Sequence, residues 1–282
     1  MEQCPVILLA DRSISTVDEI ASSLIEGLSD VVAFLPTDEN GLSEASLAIA
    51  IGGDGTLINH GPMLAERDIP LVGVNSGKLG FLAKFDAESL IKQRDAIFCE
   101  SHPTLEAMML EVTVDKEEST IAMNEAMIAA GNPFRILELG LSINEVPAPL
   151  LHGDGIILST PIGSTAHNAS VGGPIVDPSA NAFVLTPVAA HSLAIRPIVL
   201  DSMARVTVDI LQANEGTSLV IDGKVHSKLK EGMQVQNDGM IAMHDGMLAT
   251  AEKIGEMSKA IESKVQEMDE NVRKVKIDLH GT

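Results

Sequence analysis

The run Ile51-Gly52-Gly53-Asp54-Gly55-Thr56 sets one carboxylate among three glycines. Glycines let a backbone come close to phosphate oxygens, and the free N–H groups of such a turn, or of a helix start, favour anions. A carboxylate cannot itself welcome a phosphate. It makes sense as the base that takes a proton from a hydroxyl about to attack that phosphate, or as a holder of a Mg²⁺ that bridges phosphates. The run is neither the P-loop, which needs Gly-Lys-Ser/Thr, nor the G-x-G-x-x-G dinucleotide fingerprint. A tight structural turn is the competing reading, because Gly and Asp are ordinary turn residues.

Two further stretches carry polar chemistry. Asn124-Glu125 interrupts the apolar run Ile121-Ala-Met and Ala-Met-Ile. An amide and a carboxylate buried there need partners, and sugar hydroxyls are suitable ones; an edge strand with the pair facing water is the alternative. From Gly153 to Val176, a buried strand at Ile156 to Leu158 delivers a cluster of glycines and small hydroxyl residues. Such a surface offers donors and acceptors with little bulk to a polar ligand lying close to backbone, and a loop of this length without secondary structure points to function.

The elements that must position these residues follow from periodicity. Continuous apolar runs at Val6–Ala10, Val31–Leu35, Leu47–Ile51 and Leu71–Val74 alternate with helical patterns, the signature of a parallel α/β sheet. Thr16-x-x-Glu19 reads as a capping box, after which Val17, Ile20, Ala21, Leu24 and Leu28 share one helical face. The strands at Leu47 and Leu71 end in turn chemistry, where α/β folds put ligands. After about His102-Pro103 the period becomes two, at Leu110/Val112/Val114, Leu137/Leu139/Leu141/Ile143, Val206–Ile210 and Leu219–Ile221. The expected organisation is therefore an α/β domain over residues 1–103, Rossmann-like, and an all-β-type domain over 104–246. Residues 247–282 complete it as an amphipathic helix, docked on its own protein or on a neighbouring subunit.

Composition narrows the partners. Forty Asp+Glu against nineteen Lys+Arg in 282 residues gives a net charge of −21, so no nucleic-acid partner is expected. With no Trp and no Tyr, a stacking platform built on those rings is excluded. No apolar run reaches the roughly 20 residues of a membrane span, and charged Asp11-Arg12 comes early for a signal peptide. Cys4 and Cys99 lie far apart in sequence and outside any C-x-x-C, which fits a reducing compartment. A cytoplasmic protein without membrane contact is the expectation.

Taken in order, Gly-Gly-Asp-Gly at 52–55, Gly73-Val-Asn-Ser-Gly-Lys-Leu-Gly-Phe-Leu82, Asn124-Glu125, Asp154-Gly-Ile-Ile-Leu-Ser-Thr-Pro161, Gly163-Ser-Thr-Ala166, Gly172-Gly-Pro-Ile-Val176, Thr186-Pro187 and His191-Ser-Leu-Ala-Ile-Arg-Pro-Ile-Val199 resemble the NAD kinases. These enzymes phosphorylate the 2′-hydroxyl of the adenosine ribose of NAD and make NADP. The resemblance implies a site in the cleft between the two domains, and a homodimer or homotetramer in which a neighbouring subunit completes it. It implies Asp54 as general base and the Gly52, Gly53, Gly55 turn as the cradle for donor phosphates. Asn124 and Glu125 would hold ribose hydroxyls, Asp154 the nicotinamide end, and Thr165, Ala166, His167, Asn168, Ala169 and Ser170 would line the dinucleotide pocket. Asn59, Arg135, His152 and Lys224 complete the expected nucleotide contacts. NAD and ATP are the implied substrates, with polyphosphate as another donor, and Mg²⁺ or another divalent cation comes with ATP rather than from a set of protein ligands.

Departures accompany the match. Ile162 and His167 replace the family's usual Thr and Tyr, His152 a frequent Arg, and Asn59 an Arg or Lys, while Lys224 stands near the usual Asp-Gly-Gln position. Positive charge is thus reduced or moved, and a kinase of a different hydroxyl substrate, or an NAD(P)-binding sensor without turnover, are the alternatives.

Overall fold

A computed structural model describes residues 3–77, 80, 82–99, 104–133, 135–191, 195–241 and 247–248. The N-terminal half runs β1 (Cys4–Leu9), α1 (Ser15–Leu28), β2 (Val32–Leu35), α2 (Glu39–Glu44), β3 (Leu47–Gly52), α3 (Asp54–Ala65), β4 (Leu71–Asn75), α4 (Ala87–Lys92) and α5 (Arg94–Phe98). Its strands pair in parallel in the order β2-β1-β3-β4. β3 is buried along its whole length, which is why it reads as unbroken aliphatic residues: both faces of the sheet are covered. On one face α1 packs Val17, Ala21, Leu24 and Leu28 with Val6, Ile49, Val72 and Phe85.

The capping box at Thr16 and Glu19 does not form. Asp11 accepts from the Ser13 N–H and hydroxyl, the chain turns there, and α1 begins at Ser15 with Ile14 in the cap position and no side-chain cap.

The C-terminal half is mostly strand and holds a two-sheet sandwich. Its strands are β5 (Thr104–Leu105), β6 (Met108–Val114), β7 (Thr120–Ala122), β8 (Glu125–Ala129), β9 (Leu137–Ile143), β10 (Val146–Pro147), β11 (Leu151–Gly153), β12 (Gly155–Ser159), β13 (Ala182–Val188), β14 (Ile198–Asp201), β15 (Arg205–Gln212), β16 (Ser218–Ile221), β17 (Lys224–Lys228), β18 (Gln234–Ile241) and β19 (Met247–Leu248), with a short helix α6 (His167–Ser170) after β12. One sheet runs β10-β9-β15-β18-β6-β7, with β11 also on β9, and the other β14-β13-β12-β8-β16-β17. The alternating residues of both meet in one core that includes Leu110, Leu139, Val208, Ile156, Phe183 and Leu219.

Two details depart from the expected boundaries. β5 and β19 do not join the sandwich: β19 adds to β4, and β5 to β19, in the N-terminal sheet. Met247 and Leu248, placed in the terminal helix by their spacing, are thus strand residues; the rest of that expected helix, 249–282, lies outside the described residues. Among the described residues no helix is long and apolar enough to cross a membrane.

The second face of the N-terminal sheet joins the halves. Ile7, Ala50, Leu57 and Leu71 share a core with Met109, Met123 and Ile162 of the sandwich. Gly61 on α3 leaves room for the Met123 sulfur, which would lie 2.5 Å from a Cβ at that position. Leu57 is fully buried in this core beneath α3. Leu57→Ala is expected to lower unfolding stability by about 2–5 kcal/mol. A urea midpoint unchanged from wild type would show that α3 is not anchored there.

Candidate active site

Asp54 stands in the first turn of α3, at the end of the central strand β3, with Gly53 at the cap in extended conformation. Its Oδ1 accepts the backbone N–H groups of Leu82 at 2.9 Å and Ala83 at 3.2 Å. A Cβ at Gly80 would lie 2.2 Å from that same oxygen, so only glycine lets the segment after β4 wrap the carboxylate. Glycines 52, 53 and 55 differ in use. A Cβ at Gly52 would strike the Thr56 hydroxyl at 2.1 Å, whereas one at Gly53 or Gly55 would meet nothing within 4 Å. The turn therefore presents open backbone at a helix start, as phosphate binding requires.

Three openings meet around α3. A cavity of about 610 Å³ lies at the carboxyl ends of β1 and β3, where the strand order reverses, and its lining includes Asp11, Gly52, Gly53, Thr56 and His60. A groove of about 650 Å³ runs between α3 and the β16–β17 hairpin, along Gly55, Ile58, Asn59 and Lys224. Next to the groove, and sharing Ile58 with it, a pocket of about 180 Å³ gathers Asp54, Leu82, Asn124, Ile162, Thr165 and Ala166. Four residues expected to act together, from both halves of the chain, thus line one small pocket.

Asn124 and Glu125 are not an edge pair. β8 is a central strand between β12 and β16, so the reading in which they face water is overturned. Asn124 Oδ1 and Glu125 Oε2 are both buried without a hydrogen-bond partner, the state of groups that wait for hydroxyls. Their backbone is fixed from outside the expected set. The Asp222 carboxylate accepts the N–H groups of Met123 at 2.9 Å, Asn124 at 2.7 Å and Glu125 at 3.1 Å. Burial, and then the Asp222 charge, push the Glu125 carboxyl up to about 7. Burial raises Asp222 as well, against the pull of its three N–H donors and of Lys224.

The hydroxyl-rich segment is built differently from its expected role. The Thr160 hydroxyl donates to the Met123 carbonyl and Ser164 to the Pro161 carbonyl, while Gly163 passes so close to the Asn124 carbonyl that a Cβ would lie 2.0 Å from it. Asn168, expected in the pocket lining, is fully buried. Its amide donates to the Ser164 and Pro174 carbonyls and accepts from Thr186, so it braces the loop from behind. Thr165 and Ala166 line the pocket, Ala169 is half-buried, and His167 and Ser170 are exposed.

The remaining expected contacts fall into two places. Asn59 and Lys224, 165 residues apart in sequence, touch: the Lys224 ammonium donates to Asn59 Oδ1. Asp154 is exposed just before β12, whose Ser159 end lies beside Asn124, roughly 16 Å away along the strand. His152 pairs across strands with Glu138 at 3.7 Å, and Arg135 is exposed. These three do not line the Asp54 pocket. Among the described residues no group of three or more His, Cys, Asp or Glu is arranged to hold a metal ion.

Sequence reasoning missed Gly80, the Leu82 and Ala83 amides, Asp222 and His60. The Asp-Gly turn directly after the apolar strand Leu219–Ile221 was the available signal for Asp222; backbone donors carry no side-chain signal at all.

The ATP-NAD kinase N-terminal domain matches residues 19–101 and the ATP-NAD kinase C-terminal domain residues 123–237. An NAD kinase of Trichlorobacter lovleyi is 39% identical over 202 residues, 70% of each chain. One of Rhodopirellula baltica is 36% identical over 197 residues; the match spans 68% of this chain and 63% of that relative. In fold, the chain is similar to a yeast NADH kinase solved with NADH, with a TM-score of 0.76 at 22% identity over 89% of this chain and 85% of that one.

The raised Glu125 has a measurable sign. Between its ordinary value of 4.5 and about 7, the folded chain keeps a proton that the unfolded chain has released, so stability falls as pH rises through that window. The loss amounts to about 3 kcal/mol. Glu125→Gln is expected to flatten the decline in melting temperature from pH 4.5 to 8 and to be the more stable protein above pH 7. Parallel profiles for the two proteins would refute the assignment.

Proposed function

Because this chain belongs to the NAD kinase family, we propose that it transfers the terminal phosphoryl group of ATP to the 2′-hydroxyl of the adenosine ribose of NAD, with Asp54 as base. Kinase chemistry comes with family membership; the residue roles are our reading. The observation that carries it is the pocket in which Asp54, Asn124, Thr165 and Ala166 converge while Asn124 Oδ1 lacks a partner.

The acceptor ribose sits in that pocket, its hydroxyls satisfying Asn124 and Glu125. Asp54 takes the proton of the 2′-hydroxyl as its oxygen bonds to the terminal phosphorus, and the bond from that phosphorus to the bridging oxygen breaks, releasing ADP. The Leu82 and Ala83 amides fix the carboxylate's orientation through Oδ1. Donor phosphates lie on the open backbone of Gly53 and Gly55, and the cavity of about 610 Å³ beside them has the size of a nucleotide site. Mg²⁺ would come with the donor phosphates, keeping several of its waters, while the Asp54 carboxylate serves the hydroxyl proton. Bound there, it supplies charge neutralisation on the phosphoryl group.

Asp154, His152 and Arg135, outside the Asp54 pocket, are assigned to the site of a neighbouring subunit in a homodimer or homotetramer. Two free thiols, Cys4 and Cys99, suit a reducing cytoplasm.

Asp54→Asn tests the base. In a coupled assay for NADP, its turnover is expected to fall about 10²–10⁴-fold, as for loss of a general base. NAD binding should persist, and wild-type turnover in the variant would remove Asp54 from the chemistry.

A further inference from the structure

The hairpin turn at Asp222-Gly223 serves both sides of the site. Asp222 pins the backbone of residues 123–125 beside the acceptor pocket. Both turn residues have left-handed φ, +48° and +76°, which sends the chain directly into β17. Lys224, its first residue, is exposed and reaches across the domain boundary to Asn59 Oδ1 on α3, about one and a half turns after Asp54. Asn59 and Lys224 line the groove of about 650 Å³. The next residue, His60, faces the cavity of about 610 Å³ and is held below its ordinary value by burial and then by the Lys224 charge. The ammonium therefore stands on the crest of α3 between two openings.

At rest the ammonium's hydrogen bond goes to a neutral amide oxygen, while the Asp222 carboxylate, near enough to feel its charge, is taken up by three backbone N–H groups. A phosphate oxygen is the better partner, since a bond between two charged groups is shorter and roughly twice as strong. The stem of lysine is long enough to change partners without moving the hairpin. We propose that Lys224 is a donor-positioning residue: on binding of a phosphate chain, its ammonium leaves Asn59 Oδ1 for a non-bridging phosphate oxygen. The ligand class is a nucleoside triphosphate or an inorganic polyphosphate. The proposal rests on the kinase reading and adds to it that one hairpin grips both donor and acceptor.

Kinetics and melting of Lys224→Gln, Lys224→Arg and Asn59→Ala test it, with ATP varied at saturating NAD. Melting is followed by circular dichroism with Mg·ATP or Mg·tripolyphosphate and no NAD. Lys224→Gln is expected to raise the KM for ATP about tenfold or more, as for loss of a charged hydrogen bond. Its KM for NAD should stay within about twofold of wild type, and it should lose the stabilisation by phosphate chains. Lys224→Arg should keep most of both, and Asn59→Ala should bind donor no worse than wild type. Stabilisation by ATP but not tripolyphosphate, still lost in Lys224→Gln, would narrow the class to nucleotides. An unchanged KM for ATP in Lys224→Gln would overturn the proposal. So would an Asn59→Ala that matches it, because then the contact is a latch between domains. A wild type that makes no NADP, yet is stabilised by tripolyphosphate through Lys224, would sink the kinase reading and leave this one standing.

Discussion

The site exists because the sandwich docks on one face of the N-terminal sheet. Met123 and Ile162 enter the same apolar core as Leu57 and Ala50, and each is next to a polar partner of the pocket: Met123 precedes Asn124, and Ile162 lies three residues before Thr165. Burial of these side chains sets how far Asn124 stands from Asp54. The hydrophobic effect has no direction of its own, so the tight approaches at Gly61 and Gly163 supply the register that packing alone would leave loose.

On that base the polar groups are arranged for restraint more than for charge. Asp54 is oriented by two amides, Asn124 and Glu125 by the carboxylate of Asp222, and the loop before α6 by the amide of Asn168. In each case a side chain and backbone groups hold one another in place, and at residues 124 and 125 this leaves Asn124 Oδ1 and Glu125 Oε2 fixed and without a partner. Such preorganisation lowers the reorganisation needed during reaction. The cost is visible in Glu125, whose buried carboxyl resists ionisation beside Asp222.

Much of this was legible in the chain. Unbroken aliphatic runs located β1, β3 and β4, alternation located β6, β9 and β15, and glycines around one acid located the start of α3. What escaped was whatever depends on contacts between distant residues. Asn168 looks like a ligand contact because an amide between small residues is compatible with either surface or interior; only the fold turns it inward. Asp222 looks like a turn residue, and is one, yet its carboxylate faces residues 123–125, nearly a hundred positions earlier. Thr16 failed as a cap because a competing local turn at Asp11 took the chain first. Asn59 and Lys224 each read as a lost or displaced charge, and only their meeting in space gives the pair a single meaning.

One feature of the topology bears on how the chain is made. β4 is in place before residue 76, but its outer neighbour β19 comes at residues 247–248, after the entire sandwich, and β5 reaches the sheet only through it. On the ribosome, the N-terminal sheet must therefore keep an open edge while some 170 further residues emerge and pair. Unpaired edges invite wrong partners during synthesis. A cut near residue 103 would leave that edge bare for good, so the two halves are domains by their cores but not separable pieces of chain.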